Sequence, residues 1–368
     1  MTRSGATVGN VYIDRRWRSA RVTWRDGVVT AIKPLGKHSE GLFLVPGFID
    51  LHCHGGGGAD AMEGGEAAHQ IARTHAAHGT AGFLVTTMTA PLLEVEVALV
   101  AVARAMDRQG DDEAEILGVH LEGPFISPDQ LGAQPPYAIP ATIEIMERLC
   151  GLAPIKVVTL APEADNNGEV SAWLRARGVR VQIGHMSVDF DIAADWIRGR
   201  ADGVTHLFNA MGGGFHHRQS GCIGAALAFA DHAELISDLH HADTGALLAA
   251  LRAIPCLYAV TDATAASGMP DGEYILGQHA VFRRGDTVRL ANGGLAGSCL
   301  TMDRAFCNLI SVGLPLEEAA KRTSTIAADY LGANKYGRLS VGSPASFVGV
   351  DERGLTSEVT SRGIILRA

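Results

Sequence analysis

The sequence predicts an α/β chain, a (β/α)8 TIM-like barrel with a small β-sandwich formed by both termini, and three observations carry that expectation. Short apolar runs alternate with longer alanine-rich, helix-like stretches; the runs number eight; and both ends of the chain are β-rich instead of following this alternation. The expected division is 1–45 plus 336–368 for the sandwich and 46–335 for the barrel.

At the N-terminal end, Val11-Tyr12-Ile13, Arg21-Val22-Thr23-Trp24 and Val28-Val29-Thr30-Ala31-Ile32 read as strands, the last two separated by an Asp26-Gly27 turn. At the C-terminal end, Gly337-Arg338-Leu339, 345–350 and 363–366 read the same way and can complete one small sheet. Between the ends, the eight runs fall at 48–52, 82–87, 116–120, 156–160, 180–183, 203–205, 234–237 and 257–260. Stretches such as 94–108 and 243–254 supply the intervening helices. Eight is the number at which a barrel closes, and the absence of a Gly-x-Gly-x-x-Gly turn after an early strand weighs against an open dinucleotide-binding sheet.

The 368 residues exceed the usual ~100 to 200 per domain, which suits one large and one small unit. With 47% hydrophobic and 19% charged residues, the chain is neither disordered nor fibrous. A formal charge of -9 argues against nucleic acid as a partner but leaves room for a local basic site that takes an anionic small molecule. No leader-like N-terminus or long apolar run is present, so no membrane partner and a cytoplasmic location are expected. The six scattered cysteines form no Cys-x-x-Cys pair and are expected to be reduced.

Nearly every run ends in a group able to bind metal or move a proton. The first gives His52-Cys53-His54, the third Glu122 before Gly123-Pro124, the fifth His185, the sixth His206 and Asn209, the seventh Asp238 to His241, and the eighth Asp262. Barrel enzymes gather their catalytic groups at the C-terminal strand ends, so these distant residues are expected at one mouth. Strand alternation sends His52 and His54 to one side with Cys53 pointing away, and two neutral imidazoles suit zinc or iron. Taken singly, His185 and His206 also read as satisfied core histidines, and Asp262 as a helix N-cap. Glu122 is harder to explain without a cation or a donor, because a buried carboxylate is costly alone. Lys156 opens its run and so lies at the wrong end of the barrel to serve as a carboxylated bridging ligand, which leaves Glu122 for that role.

Six ordered segments then carry a resemblance: 46–60 (Pro-Gly-Phe-Ile-Asp-Leu-His-Cys-His-Gly-Gly-Gly-Gly-Ala-Asp), His120-Leu-Glu-Gly-Pro-Phe125, Ile183-Gly-His185, Thr205-His-Leu-Phe-Asn-Ala-Met211, Val260-Thr-Asp-Ala-Thr264 and Leu295-Ala-Gly-Ser298. In these the chain resembles the N-acetylglucosamine-6-phosphate deacetylases of the amidohydrolase superfamily. The resemblance implies hydrolysis of the acetamide of N-acetylglucosamine 6-phosphate to glucosamine 6-phosphate and acetate, by a metal-bound hydroxide with Asp262 as general base and acid. It implies one or two divalent metals per subunit, zinc first, with iron, manganese and cobalt as alternatives, held by His52, His54, Glu122, His185, His206 and Asp262. It assigns Gln134, Asn209, the backbone of Ala210, Arg218, His241 and Leu295 to the substrate, an amino sugar phosphate, and it implies a homodimer in which part of the phosphate site comes from the neighbouring subunit.

Three positions depart from the family pattern. Gln134 stands where the family usually has a histidine, the loop 212–221 replaces a proline-containing phosphate loop, and Leu239 replaces a glycine after Asp238. Glutamine can donate a hydrogen bond but cannot be protonated. Rival readings keep the fold and change the substrate to N-acetylgalactosamine 6-phosphate, an unphosphorylated N-acetyl sugar or an N-acyl amino acid, or make the chain a non-catalytic barrel. His216 and His217 read either as substrate contacts or as plain loop residues, and Arg218 also reads as a solvated loop arginine.

Overall fold

In the computed structural model, residues 3–36 and 41–367 are described. The limits 1 and 368 drawn above for the terminal domain lie outside them.

Eight parallel strands form one sheet in chain order: Phe48–Cys53, Thr80–Thr86, Glu115–Glu122, Ile155–Leu160, Arg180–Ile183, Gly203–Val204, His232–Ile236 and Cys256–Val260. Each falls on one of the eight apolar runs. The first and last strands meet just beyond their ends, where the Asp262 N–H donates to His52 O at 2.9 Å and Cys53 pairs with Ala263, so the sheet closes into a barrel. Every residue of the first two strands is buried, because helices cover the outside and side chains fill the inside. The helices between strands begin at side-chain caps where the sequence provides them: Thr142 caps Ile143–Cys150, Asp189 caps Phe190–Gly199 and Asp243 caps Thr244–Ala253.

Both chain ends share a seven-stranded sheet. Gly5–Ile13, Arg16–Arg25, Val28–Pro34 and Phe43–Pro46 come from one end, and Phe347–Val350, Thr356–Ser361 and Ile364–Arg367 from the other. Phe43–Pro46 runs between the two halves, parallel to Gly5–Ile13 and antiparallel to Phe347–Val350. An isolated bridge from Val28 to Pro344 curls the sheet back on itself. It encloses a second core of Val11, Ala20, Val22, Trp24, Leu44 and Phe347, where the Trp24 indole N–H donates to Gly363 O at 3.0 Å.

Two local expectations change. Gly337-Arg338-Leu339 is turn, not strand: Gly337 has φ 72°, and the Arg338 guanidinium forks onto Asp329 at 2.7 Å through each nitrogen, which ties the segment to the preceding helix. A three-stranded antiparallel sheet, Gly272–Leu276, His279–Arg284 and Thr287–Leu290, follows the eighth barrel strand and was not foreseen. Its short runs are amphipathic because one face packs on Met88, Ala266 and Ala296, and that packing roofs the barrel mouth.

Candidate active site

The C-terminal ends of the strands bring the six candidate ligands together. From the first strand, His52 and His54 project to the same side with their Nε2 atoms 3.2 Å apart, while the Cys53 thiol turns away to His75 Nε2 at 3.2 Å. The third strand ends in Glu122, whose Oε1 lies 2.9 Å from His206 Nε2, 3.2 Å from His185 Nε2 and 3.4 Å from His52 Nε2. Its Oε2 lies 3.3 Å from His54 Nε2. After the eighth strand, Asp262 Oδ1 approaches His54 Nε2 at 3.2 Å and His52 Nε2 at 3.6 Å. Asp262 caps no helix. Its φ is +50°, and the backbone around it pairs with the strand end at His52 and with Ser298, whose N–H donates to Asp262 O at 2.7 Å.

His185 and His206 share that left-handed backbone, with φ of +47° and +24°. Such conformations cost of order 1–3 kcal/mol each in residues with a Cβ and persist where neighbours over-determine them, most often at functional sites. Gly297 completes the arrangement, since a Cβ there would stand 2.6 Å from Thr264 Cγ2 and 3.0 Å from Asp262 O.

A divalent cation fits this donor set. The Nε2 atoms of His185 and His206 face each other at 3.1 Å beside Glu122 Oε1, and those of His52 and His54 face each other at 3.2 Å, His52 beside the same oxygen and His54 beside Oε2. Opposed lone pairs at that range need a positive charge between them. His185 presents its lone pair at Nε2, because its Nδ1–H donates to Gln130 O at 2.8 Å, and His52 does likewise through Glu234 Oε2 at 2.9 Å. The charge balance points the same way. Burial pushes the Asp262 carboxyl up, but the hydrogen bond with His54 and the fields of His52, His54 and His206 outweigh it and hold it at about 2. Burial lowers His54, yet its contacts with Asp262 and Glu122 carry it up to about 9. The carboxylates thus recruit positive charge onto imidazoles that could instead ligate a metal. Among the described residues four triads meet the distance requirement for a cation, and two of them overlap at the mouth, His52-Glu122-His206 and His52-His54-Asp262.

Above the cluster is a cavity of about 160 Å³ lined by His54, Glu122, His185, His206 and Asp262 together with Gln134, Asn209, Ala210, His241 and Leu295. Five of the six residues expected to contact substrate therefore border the same space as the candidate ligands. Gln134 is clamped there: its Oε1 accepts the Thr89 N–H and its Nε2 donates to Glu122 Oε2, both at 2.6 Å. His241 Nδ1 lies 2.7 Å from Asp238 Oδ2. Arg218 is placed elsewhere. It sits with His216 and His217 at the exposed tip of the 212–221 loop, where His216 and Gln219 exchange backbone hydrogen bonds, and in the single chain it does not line the cavity.

The sequence reading passed over Glu234, His120 and Asp50. Glu234 is wholly buried inside the seventh strand, and a carboxylate in an otherwise apolar barrel strand was the available signal. Asp50 accepts from Thr261 Oγ1 at 2.6 Å and from the N–H groups of Thr261 and His52, stapling the first strand to the eighth. Burial raises its carboxyl to about 6 against the pull of those bonds.

A closed barrel with a histidine and carboxylate cluster able to bind a divalent metal at its C-terminal mouth suits a hydrolase, and residues 43–362 match the amidohydrolase family. The chain is 38% identical over 334 residues to N-acetylglucosamine-6-phosphate deacetylase of Lysinibacillus sphaericus, covering 89% of this chain and 86% of that protein. It is 36% identical to N-acetylgalactosamine-6-phosphate deacetylase of Escherichia coli O157:H7, with 89% of each covered. Among solved structures it superposes with a TM-score of 0.89 and 25% identity on an aspartate-to-alanine mutant of the Mycobacterium smegmatis N-acetyl-D-glucosamine-6-phosphate deacetylase in complex with N-acetyl-D-glucosamine-6-phosphate, over 99% of this chain and all of that one. The chain belongs to the amidohydrolase family, in its branch of N-acetylglucosamine-6-phosphate deacetylases.

Proposed function

We propose that the chain hydrolyses the acetamide of N-acetylglucosamine 6-phosphate, and that the cavity bounded by Glu122, His185, His206 and Asp262 is where it does so. The observation that carries this reading is the placement of three histidines and two carboxylates from five strand ends around one cavity, with His52 behind them, in a chain 38% identical to a deacetylase of that substrate. His52, His54, Glu122, His185, His206 and Asp262 would hold one or two divalent cations, zinc first. Such a cation, when bound, lowers the pKa of water and polarises the acetyl carbonyl.

The residues of the chain supply the rest. Asp262, ionised at neutral pH, accepts the proton of the attacking water and delivers it to the departing sugar amine, without which the amine leaves poorly. Gln134 presents its remaining amide N–H to the cavity and so can donate to the carbonyl oxygen as negative charge builds there. Asn209, the backbone of Ala210, His241 and Leu295 shape the space for the sugar. Arg218 serves the phosphate from the loop, and its distance from the cavity of its own chain supports a homodimer in which the loop completes a neighbour's site. The guanidinium fork suits phosphate oxygens.

No helix among the described residues is long and apolar enough to cross a membrane, and all six cysteines are free thiols, which accords with the cytoplasm. The proposed domain division is 1–45 plus 336–368 for the sandwich and 46–335 for the barrel.

A second reading, the galacto epimer as substrate, is favoured by the relative from Escherichia coli O157:H7 and by the divergent 212–221 loop. The test is acetate release by metal-loaded protein from N-acetylglucosamine 6-phosphate, its galacto epimer and the unphosphorylated sugar. A kcat/KM highest on the first supports the proposal, preference for the second selects the epimer, and no acetate from any of them removes both.

A further inference from the structure

Glu234 projects into the barrel from the seventh strand and has no accessible surface. An isolated carboxylate there carries a desolvation penalty of several kcal/mol unless it is compensated. Among the described residues, its ion-pair partners are two imidazoles, His52 at 2.9 Å and His120 at 3.8 Å, and no lysine or arginine. Glu234 Oε2 accepts the Nδ1–H of His52 and also the backbone N–H of His206 at 3.2 Å. One carboxylate thus braces a donor in each overlapping triad.

The four histidines of the centre differ in what stands behind them. His185 leans on a neutral carbonyl, that of Gln130, and the Nδ1 atoms of His54 and His206 have no hydrogen-bond partner. Of the four, only His52 has a carboxylate at its Nδ1. His120 packs edge-on against its ring with centroids 4.6 Å apart, and is held by Leu51 O at 3.0 Å and Thr159 Oγ1 at 2.8 Å, so the His52 ring cannot turn on that side. A carboxylate behind a ligating imidazole fixes its tautomer and raises its strength as a donor.

We infer that Glu234 is a positioning residue: by holding the Nδ1–H of His52 it aims the Nε2 lone pair at Glu122, His54 and Asp262, and so sets the affinity for a cation in the half of the centre formed by His52, His54 and Asp262. The inference rests on the metal-dependent reading above. It assigns the half at Glu122, His185 and His206 no dependence on the Glu234 charge beyond the one backbone bond to His206.

The experiment challenges metal-loaded wild type, E234Q, H52Q and the double variant with graded chelator, counts retained zinc by mass spectrometry, and follows the His52 ring nitrogens by ¹⁵N NMR. Wild type is expected to release its two cations in separate steps. E234Q should weaken the first-released one about 10–100-fold, leave the other unchanged and redistribute the His52 tautomers. H52Q should cause at least as large a loss, and adding E234Q to it should cost nothing more. Wild-type retention of both cations by E234Q, equal loss of both, or additive losses in the double variant overturns the inference. A wild type holding a single cation that E234Q does not disturb also overturns it, yet leaves the hydrolase reading standing; a wild type that binds none removes that reading itself. Should E234Q not fold, E234D takes its place: it keeps the charge on a shorter arm, and weakening of one cation alone supports the inference, whereas unchanged retention of both overturns it.

Discussion

The floor of the cavity and its outer rim are built from different material. The floor consists of residues at or just past strand ends, Glu122, His185, His206 and Asp262, each locked by neighbours and several in costly left-handed backbone. The rim passes from Asn209 and Ala210 into the 212–221 loop, which lies outside the cavity lining and whose tip of His216, His217 and Arg218 is solvent-exposed and held by one short turn. Groups that must meet within about 0.5 Å belong on the rigid part, and groups that choose among related substrates belong on the part that can vary. The departures from the family pattern follow this only in part, since the candidate ligands match it and the loop does not, while Gln134, which donates to Glu122 Oε2, departs beside the floor itself.

The largest effect that sharpens this contrast is expected from Asp262→Asn, which should keep the fold and the cation at Glu122, His185 and His206 but lower kcat about 10²–10⁴-fold. Acetate release combined with metal content measures it, and near-normal turnover would take the proton-transfer role away from the floor. Glu122→Gln should instead deplete bound metal by more than the roughly 10–100-fold typical of an outer partner, with activity partly restored by excess zinc. Metal analysis after dialysis decides, and full retention would mean that Glu122 bridges nothing.

At the join between the regions, Gln134→Ala removes both the clamp on Glu122 and a donor, and kcat/KM should fall on the order of 10-fold with KM little changed. A pure KM effect would move Gln134 from the reacting carbonyl to general substrate binding. On the rim, Arg218→Ala should raise KM for the phosphorylated sugar several-fold, about 1–2 kcal/mol of binding, and leave kcat alone. An unaltered KM would break the assignment of phosphate recognition to the loop.

The smallest expected effect concerns the Asp238-His241 pair. Burial opposes the charge on both, but their mutual contact wins, so Asp238 is held below 3.8 and His241 above 6.5. The stability owed to His241 is complete below pH 6.5 and is lost as pH rises through its raised pKa. That owed to Asp238 is complete above pH 3.8 and is lost as pH falls through its lowered one. Wild type should therefore exceed Asp238→Asn in Tm by on the order of 2 °C between those limits, with a shrinking margin at higher pH. A constant margin across the range would show that the pair stabilises by packing alone.

Much of the floor was legible in the sequence because a barrel strand has a period of two and a defined C-terminal end. That regularity located His52 and His54 on one face, Cys53 on the other, and the remaining ligands at one mouth. Glu234 was missed because it lies within a strand instead of at its end, and only the barrel's curvature brings it behind His52. The roof at 272–290 was missed because its amphipathic pattern has meaning only against Met88 and Ala296.

By itself the sequence determined the eight-strand barrel, the pairing of the two β-rich ends and the meeting of the candidate ligands at one mouth, since alternation, run count and motif residues are local properties that closure of a barrel amplifies. The tertiary structure alone decided the tautomer of His52, the clamp on Gln134, the left-handed backbone at His185, His206 and Asp262, and the placement of Arg218 outside its own cavity. Those depend on contacts between residues from 12 to more than 200 positions apart, whose distances are set by packing in three dimensions and leave no periodic trace along the chain.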